Sequence, residues 1–131
     1  INKVFIVICP YGSNPTKEWV YWKDLCNKYR KYQIIAVVSQ NNYKRCKKDF
    51  PNIIIIPSNL LLAGHIMKRA KYVLTNNSGA MHLASFFGAN IIGINMNQDH
   101  EPKPWYGHYI AGENGPMGRF PTLSEVLQHI C

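Results

Sequence analysis

The sequence predicts an α/β domain, a Rossmann-like doubly wound parallel sheet. Strand-sized apolar runs alternate with segments of helical period along most of its length. The first run, KVFIVIC at residues 3–9, is continuously apolar and rich in β-branched residues, as a strand covered on both faces requires. The connections are short, with one exception after Asn95, as doubly wound folds demand.

Residues 3–9 are the first strand, and a polar loop over 10–18 follows. Trp19, Trp22, Leu25, Cys26 and Tyr29 recur at spacings of three and four, which predicts a helix across 19–32. Residues 33–38 form a second strand, 41–48 a short basic helix and 52–56 a third strand. Asn59 caps a helix running to about Ala70. A short strand at 72–75 leads into a helix over 78–87, which Gly88 ends as a C-terminal glycine. Residues 90–94 are a further strand. The Pro- and Gly-rich stretch 95–121 has no regular pattern and reads as a loop. Thr122-Leu123-Ser124-Glu125 is a capping box that opens a last helix.

The chain has 131 residues, 47% hydrophobic and 17% charged, enough to bury the core of one domain and too apolar to be disordered. No run reaches the length of a membrane-spanning helix, and no signal peptide is visible. Ile1 falls directly before a strand, as in an excised fragment. Cys9, Cys26, Cys46 and Cys131 show neither CxxC nor metal-ligand spacing, which favours independent thiols in a reducing compartment. A net charge of +8 favours anionic partners. The densest basic run, Lys44-Arg45-Cys46-Lys47-Lys48, reads as a solvated helix face. No aromatic interleaving or motif points to nucleic acid, and an anionic membrane surface is the better functional reading.

Three segments follow strands, where ligands of open α/β sheets bind. The first is Pro10-Tyr11-Gly12-Ser13-Asn14-Pro15-Thr16-Lys17. Gly12 permits close backbone approach, Ser13 and Thr16 offer hydroxyls, and Lys17 offers a charge for a phosphate. Any loop has a similar composition, and the spacing is not that of a P-loop. The second is Asn76-Asn77-Ser78-Gly79-Ala80-Met81-His82, where a strand runs into a helix. The free N–H groups there suit a diphosphate, with His82 one turn in. The competing reading makes Asn77 or Ser78 an ordinary cap and His82 a partly buried packing residue. The third is Lys103–His108, whose Trp105 and Tyr106 either stack on a sugar or base or pin the loop. Neither a GxGxxG, an HExxH nor a nucleophile elbow is present. The seven carboxylates are scattered, which argues against glycoside hydrolysis. Asp99, His100, Glu101 and His108 could meet a metal only if their loop folded on itself, so no metal site is expected.

Two of these segments carry a resemblance. PYGSNPTKEW at residues 10–19 is similar to the pattern hPGas-x-x-x-K-x-W, and TNNSGAMHLASFFG at 75–88 is similar to sNDSGpMHlAaAlG. In this order they resemble the C-terminal domain of the heptosyltransferases, glycosyltransferase family nine, across residues 4–94. Each pattern alone is weak, and the pair is fairly specific.

The resemblance implies a GT-B architecture of two Rossmann-like domains. Residues 1–131 would be the nucleotide-sugar-binding domain of an inverting enzyme that transfers a sugar to a cell-surface glycan. Ser13 and Lys17, with Gly12 beside them, would meet the donor diphosphate. Ser78 and Gly79 would offer backbone N–H groups, His82 would lie alongside, and Leu60 and Leu61 would border the nucleobase. An ADP-sugar is the favoured donor, and no cofactor or metal is expected. The acceptor, lipopolysaccharide or another glycan, and the general base would belong to an N-terminal domain absent from this chain. The fragment alone would bind a donor without transferring it. The expected location is cytoplasmic, peripheral on the inner face of the inner membrane. Asn77 departs from the family's Asp, keeping a hydrogen-bonding group for a sugar hydroxyl but losing the charge. That departure keeps a non-catalytic nucleotide-sugar-binding module as an alternative. A GT-B-like nucleotide-sugar epimerase ranks below it, since its acidic residues are not evident.

Overall fold

The computed structural model describes residues 4–11, 18–29, 31–76, 79–94, 108–110 and 122–130. Six strands, β1 (Phe5–Cys9), β2 (Gln33–Val38), β3 (Ile54–Pro57), β4 (Tyr72–Asn76), β5 (Ile91–Ile94) and β6 (His108–Ile110), form one sheet in the order β3-β2-β1-β4-β5-β6. Every pairing is parallel. The helices are α1 (Trp22–Lys28), α2 (Tyr43–Asp49), α3 (Leu60–Arg69), α4 (Gly79–Phe86) and α5 (Leu123–Leu127).

Alternation along the strands divides the core in two. Ile6 and Ile8 of β1, with Leu74, Ile92 and Ile94, face Trp22 and Leu25 of α1, Cys46 of α2 and Val126 of α5. Phe5, Val7 and Cys9 point the other way, with Val73 and Ile91, against Ala63 and Met67 of α3 and Met81 and Ala84 of α4. All five residues of β1 are buried, as its unbroken apolarity predicts, whereas the edge strand β3 is half exposed.

The predicted caps are present. The Leu62 N–H donates to Asn59 Oδ1 at 2.9 Å at the start of α3. Thr122 and Glu125 make the reciprocal bonds of a capping box at α5. Gly88 has φ of 73°, its N–H donates to the Ser85 carbonyl and that of Ala89 to the Ala84 carbonyl, a Schellman motif closing α4. Gly64 is required by packing, because a Cβ there would overlap the Phe87 ring.

Three expectations need correction. The stretch 95–121 is not loop throughout, since His108–Ile110 adds β6 beside β5. Three residues in a Pro- and Gly-rich context are too few to display a period of two, and the pairing partner supplies what the local sequence lacks. Helix α1 spans Trp22–Lys28 rather than 19–32. The N–H of Trp19 donates to a side chain at the end of β4, and Tyr29 has extended dihedrals. The aromatic spacing that predicted the longer helix reflects burial, because Trp19 and Tyr29 pack in the same cluster as Trp22 and Leu25. The third strand is displaced, at Ile54–Pro57 rather than 52–56.

Candidate functional site

Strands β1 and β4 are neighbours, and the helices that follow them lie on opposite faces of the sheet. A crevice outside the carboxyl ends of two such strands is the switch point where open α/β sheets bind ligands. The two segments that carry the resemblance both leave the sheet here.

Asn76, the last residue of β4, joins them. Its side chain is fully buried. Its Oδ1 accepts from the Trp19 N–H at 2.8 Å and from the Trp22 Nε1–H at 3.0 Å, and its Nδ2 donates to the Pro10 carbonyl at 2.7 Å. Three bonds therefore tie the exit of β1, the far end of the following loop and the first turn of α1 to the start of the β4–α4 turn. The Thr75 hydroxyl donates to the Asn76 carbonyl at 2.8 Å, engaging the last backbone acceptor of the strand. Burial without these partners would cost the full desolvation of each group.

A second cluster holds the same loop from the side of α2. Tyr11 and Glu18 flank residues 12–17. The Tyr11 hydroxyl donates to Asp49 Oδ2 at 2.8 Å. Arg45 makes a skewed fork on Glu18, with Nη2 to Oε1 at 2.7 Å and Nη1 to Oε2 at 3.4 Å. Its guanidinium carbon lies 4.1 Å from the centre of the Tyr11 ring, and its Nε is 3.7 Å from Asp49 Oδ2. Burial and the bond to Asp49 raise the Tyr11 pKa, and the hydrogen bond to Glu18 raises that of Arg45. All four cations of the run 44–48 are exposed, as a solvated helix face requires, and Arg45 is in addition bound to Glu18.

On the other face of the sheet lies an open cleft of about 260 Å³. Its lining runs from Cys9, Val37 and Ser39 at the strand ends to Leu60 of α3 and Gly79 and Leu83 of α4. Two predicted site residues, Leu60 and Gly79, thus share one concave surface. Leu60, at the rim of the cleft, is 75% exposed. Leu61 is 64% exposed and is not part of the lining. Among the described residues, nothing lies within 4 Å of where a Cβ on Gly79 would sit, so their packing does not demand glycine there. His82 is exposed, so it is not the partly buried packing residue of the competing reading. Gly12, Ser13, Lys17, Asn77 and Ser78 lie outside the described residues, as do Asp99, His100, Glu101, Trp105, Tyr106 and Cys131.

The sequence pattern places Tyr11 and Asn76 in its candidate segments without giving either a role, and it passes over Glu18, Arg45 and Asp49 as parts of the site. The available signal was the doubled asparagine following a strand, together with the two tryptophans its oxygen receives.

Cysteine chemistry does not fit this site. Cys9 and Cys46 are buried and Cys26 is half-buried. Burial pushes Cys9 and Cys26 up to about 12 and Cys46 up to about 11. Burial thus holds Cys9 in its protonated form at pH 8, away from the reactive thiolate. Iodoacetamide at pH 8 is expected to leave these three unlabelled in the native protein and to label all three in denaturant. Rapid native labelling of Cys9 in a peptide map would contradict its assignment as inert lining. No cluster of three or more His, Cys, Asp or Glu side chains suited to a metal occurs among the described residues. No helix among them is long and apolar enough to cross a membrane.

Sheet order, parallel pairing and a crevice at the switch point define a Rossmann-like α/β domain. The chain belongs to glycosyltransferase family 9, the heptosyltransferases, whose family model matches residues 1–119. That match extends beyond the stretch 4–94 covered by the motif resemblance and takes in β6. The fold is similar to that of E. coli ADP-heptose LPS heptosyltransferase II (TM-score 0.69, 18% identity), covering 82% of this chain and 38% of that one. It is also similar to a family 9 glycosyltransferase from Veillonella parvula (TM-score 0.68, 18% identity, 83% and 34% covered). A third similar structure is E. coli heptosyltransferase WaaC with ADP (TM-score 0.71, 18% identity, 96% and 43% covered). No curated protein matches the sequence. The chain spans less than half the length of these solved relatives.

Proposed function

We propose that this chain is the nucleotide-sugar-binding half of a two-domain inverting glycosyltransferase, with an ADP-sugar as donor. The observation that carries this reading is the Asn76 junction, which brings the loop after β1 and the start of α4 to one switch point. In this reading Ser13 and Lys17, beside Gly12, meet the diphosphate. The N–H groups of Ser78 and Gly79 at the start of α4 add partial positive charge, and Asn77 and His82 lie beside the donor. The base enters the apolar cleft past Leu60, with Leu61 at its outer edge. Charge that develops on the departing diphosphate is stabilised by Lys17 and the helix terminus, without a metal. Inversion follows if an acceptor hydroxyl attacks the anomeric carbon from the face opposite the leaving diphosphate. The acceptor, a lipopolysaccharide or other cell-surface glycan, and the general base that takes its proton belong to the other half. Exposed Lys44, Lys47 and Lys48 would favour contact with an anionic membrane surface on the cytoplasmic side.

Calorimetry with ADP, UDP and adenosine tests this reading. ADP should bind more tightly than adenosine, and absence of binding to any nucleotide or nucleotide sugar would sink it. Gly79→Val sharpens the test. A Cβ at this position meets no described residue within 4 Å, and the melting temperature is expected to stay within a few degrees. ADP affinity should fall about tenfold or more, because the branched side chain occupies the approach to the helix N-terminus. Unchanged ADP affinity in that variant would move the diphosphate away from α4.

A non-catalytic binding module is the second reading, favoured by Asn77 where the family pattern has Asp. It retains donor binding but gives no transfer product when both halves are present, and Asn77→Asp would then restore transfer if the lost acid is the cause.

A further inference from the structure

We propose that Arg45 is a positioning residue for the donor site, acting from α2 through Glu18 and Trp19 on the Asn76 junction. The inference rests on the donor-site reading above. Arg45 meets Glu18, Asp49 and Tyr11 rather than the junction itself. Its fork on Glu18 fixes the residue directly before Trp19, whose N–H is the 2.8 Å donor to Asn76. Its planar face lies against Tyr11, the residue that follows Pro10, whose carbonyl receives Asn76 Nδ2. Asp49, on the same helix, holds the Tyr11 hydroxyl. One guanidinium thus grips both ends of the loop after β1, at residues directly adjoining the two backbone groups that Asn76 binds. Displacement of Glu18 or Tyr11 is transmitted through a single peptide unit to the start of the turn that leads to Gly79.

The chemistry requires arginine in particular. Glu18 is 14% exposed and Arg45 is 48% exposed, so the carboxylate is largely withdrawn from water and depends on a directional partner. A fork that binds two oxygens while stacking on an aromatic face sets an orientation that an ammonium cannot. Salt bridges at exposed surfaces hold little energy, so the expected effect is on geometry more than on stability.

Arg45→Met keeps most of the apolar stem and removes the fork, and Arg45→Lys keeps the charge. Both are to be made in the intact protein and compared in two measurements. The first, without ligand, is amide exchange at Trp19, which should quicken about tenfold in both variants. The second is calorimetry with ADP and adenosine. Affinity for ADP should drop about tenfold in both, while adenosine stays within about twofold and the melting temperature moves only a few degrees. Unchanged exchange at Trp19 would overturn the positioning role. So would equal losses for ADP and adenosine, which would signal general loosening. Recovery of ADP binding by Arg45→Lys would also overturn it, since charge alone would then be responsible. If the unsubstituted protein binds no ADP, the donor-site reading fails and the diphosphate part of this proposal falls with it. Exchange at Trp19 still decides whether Arg45 holds the junction.

Discussion

Asn76→Ala is expected to lower the melting temperature by roughly 10–20 °C. The truncation strands the Trp19 N–H, the Trp22 Nε1–H and the Pro10 carbonyl, all bonded to Asn76 in a buried setting. Each orphaned group costs about 1–3 kcal/mol, and partial entry of water into the vacated space holds the total to about 3–5 kcal/mol. Asn76→Asp should not rescue the fold at neutral pH. A carboxylate can still accept from both tryptophans, but it would set an oxygen against the Pro10 carbonyl, where Nδ2 now donates. Thermal unfolding of the two variants checks this. A shift of only a few degrees for both would mean that the junction relaxes onto water and does not anchor the loop.

Lys17→Ala is expected to weaken ADP binding about 30- to 100-fold while leaving adenosine within about twofold. The difference of about 2–3 kcal/mol is that of a hydrogen bond to a charged group. The prediction follows from the family pattern and from the position of Lys17 directly before Glu18, which Arg45 holds. Calorimetry with both ligands separates the outcomes. Equal losses for ADP and adenosine would remove the phosphate role and leave Lys17 as a solvated loop residue. The two substitutions should differ in kind, since Asn76→Ala undermines the scaffold and Lys17→Ala only its ligand.

The doubled asparagine shows where sequence reasoning stops. Asn76 and Asn77 are chemically identical, and attention falls on Asn77 because the family pattern has an acid there. The structure gives the scaffold role to Asn76, whose amide must both donate and accept. An acid at position 76 could not do both when ionised, which fits a pattern that places its Asp one residue later. The basic run on α2 teaches the same lesson. Its four cations are exposed, as composition suggests. One of them, Arg45, also meets a carboxylate 27 residues away, and no local pattern announces that.

The sequence by itself determined the α/β class, the central strands, the caps at Asn59, Thr122 and Gly88, and the two motif-bearing segments that follow strands. These features follow from local physics: unbroken apolarity for buried strands, side-chain acceptors for free helix N–H groups, and glycine for positive φ. Only the tertiary structure decided that β6 completes the sheet, that α1 starts at Trp22, and that Asn76 and Arg45 hold the loop after β1. Each of these depends on a partner distant in the chain. β6 exists because β5 offers an open edge, and α1 starts late because Trp19 gives its N–H to a buried amide 57 residues away. Periodicity records which faces are buried, but it does not record which distant polar group a backbone amide will meet.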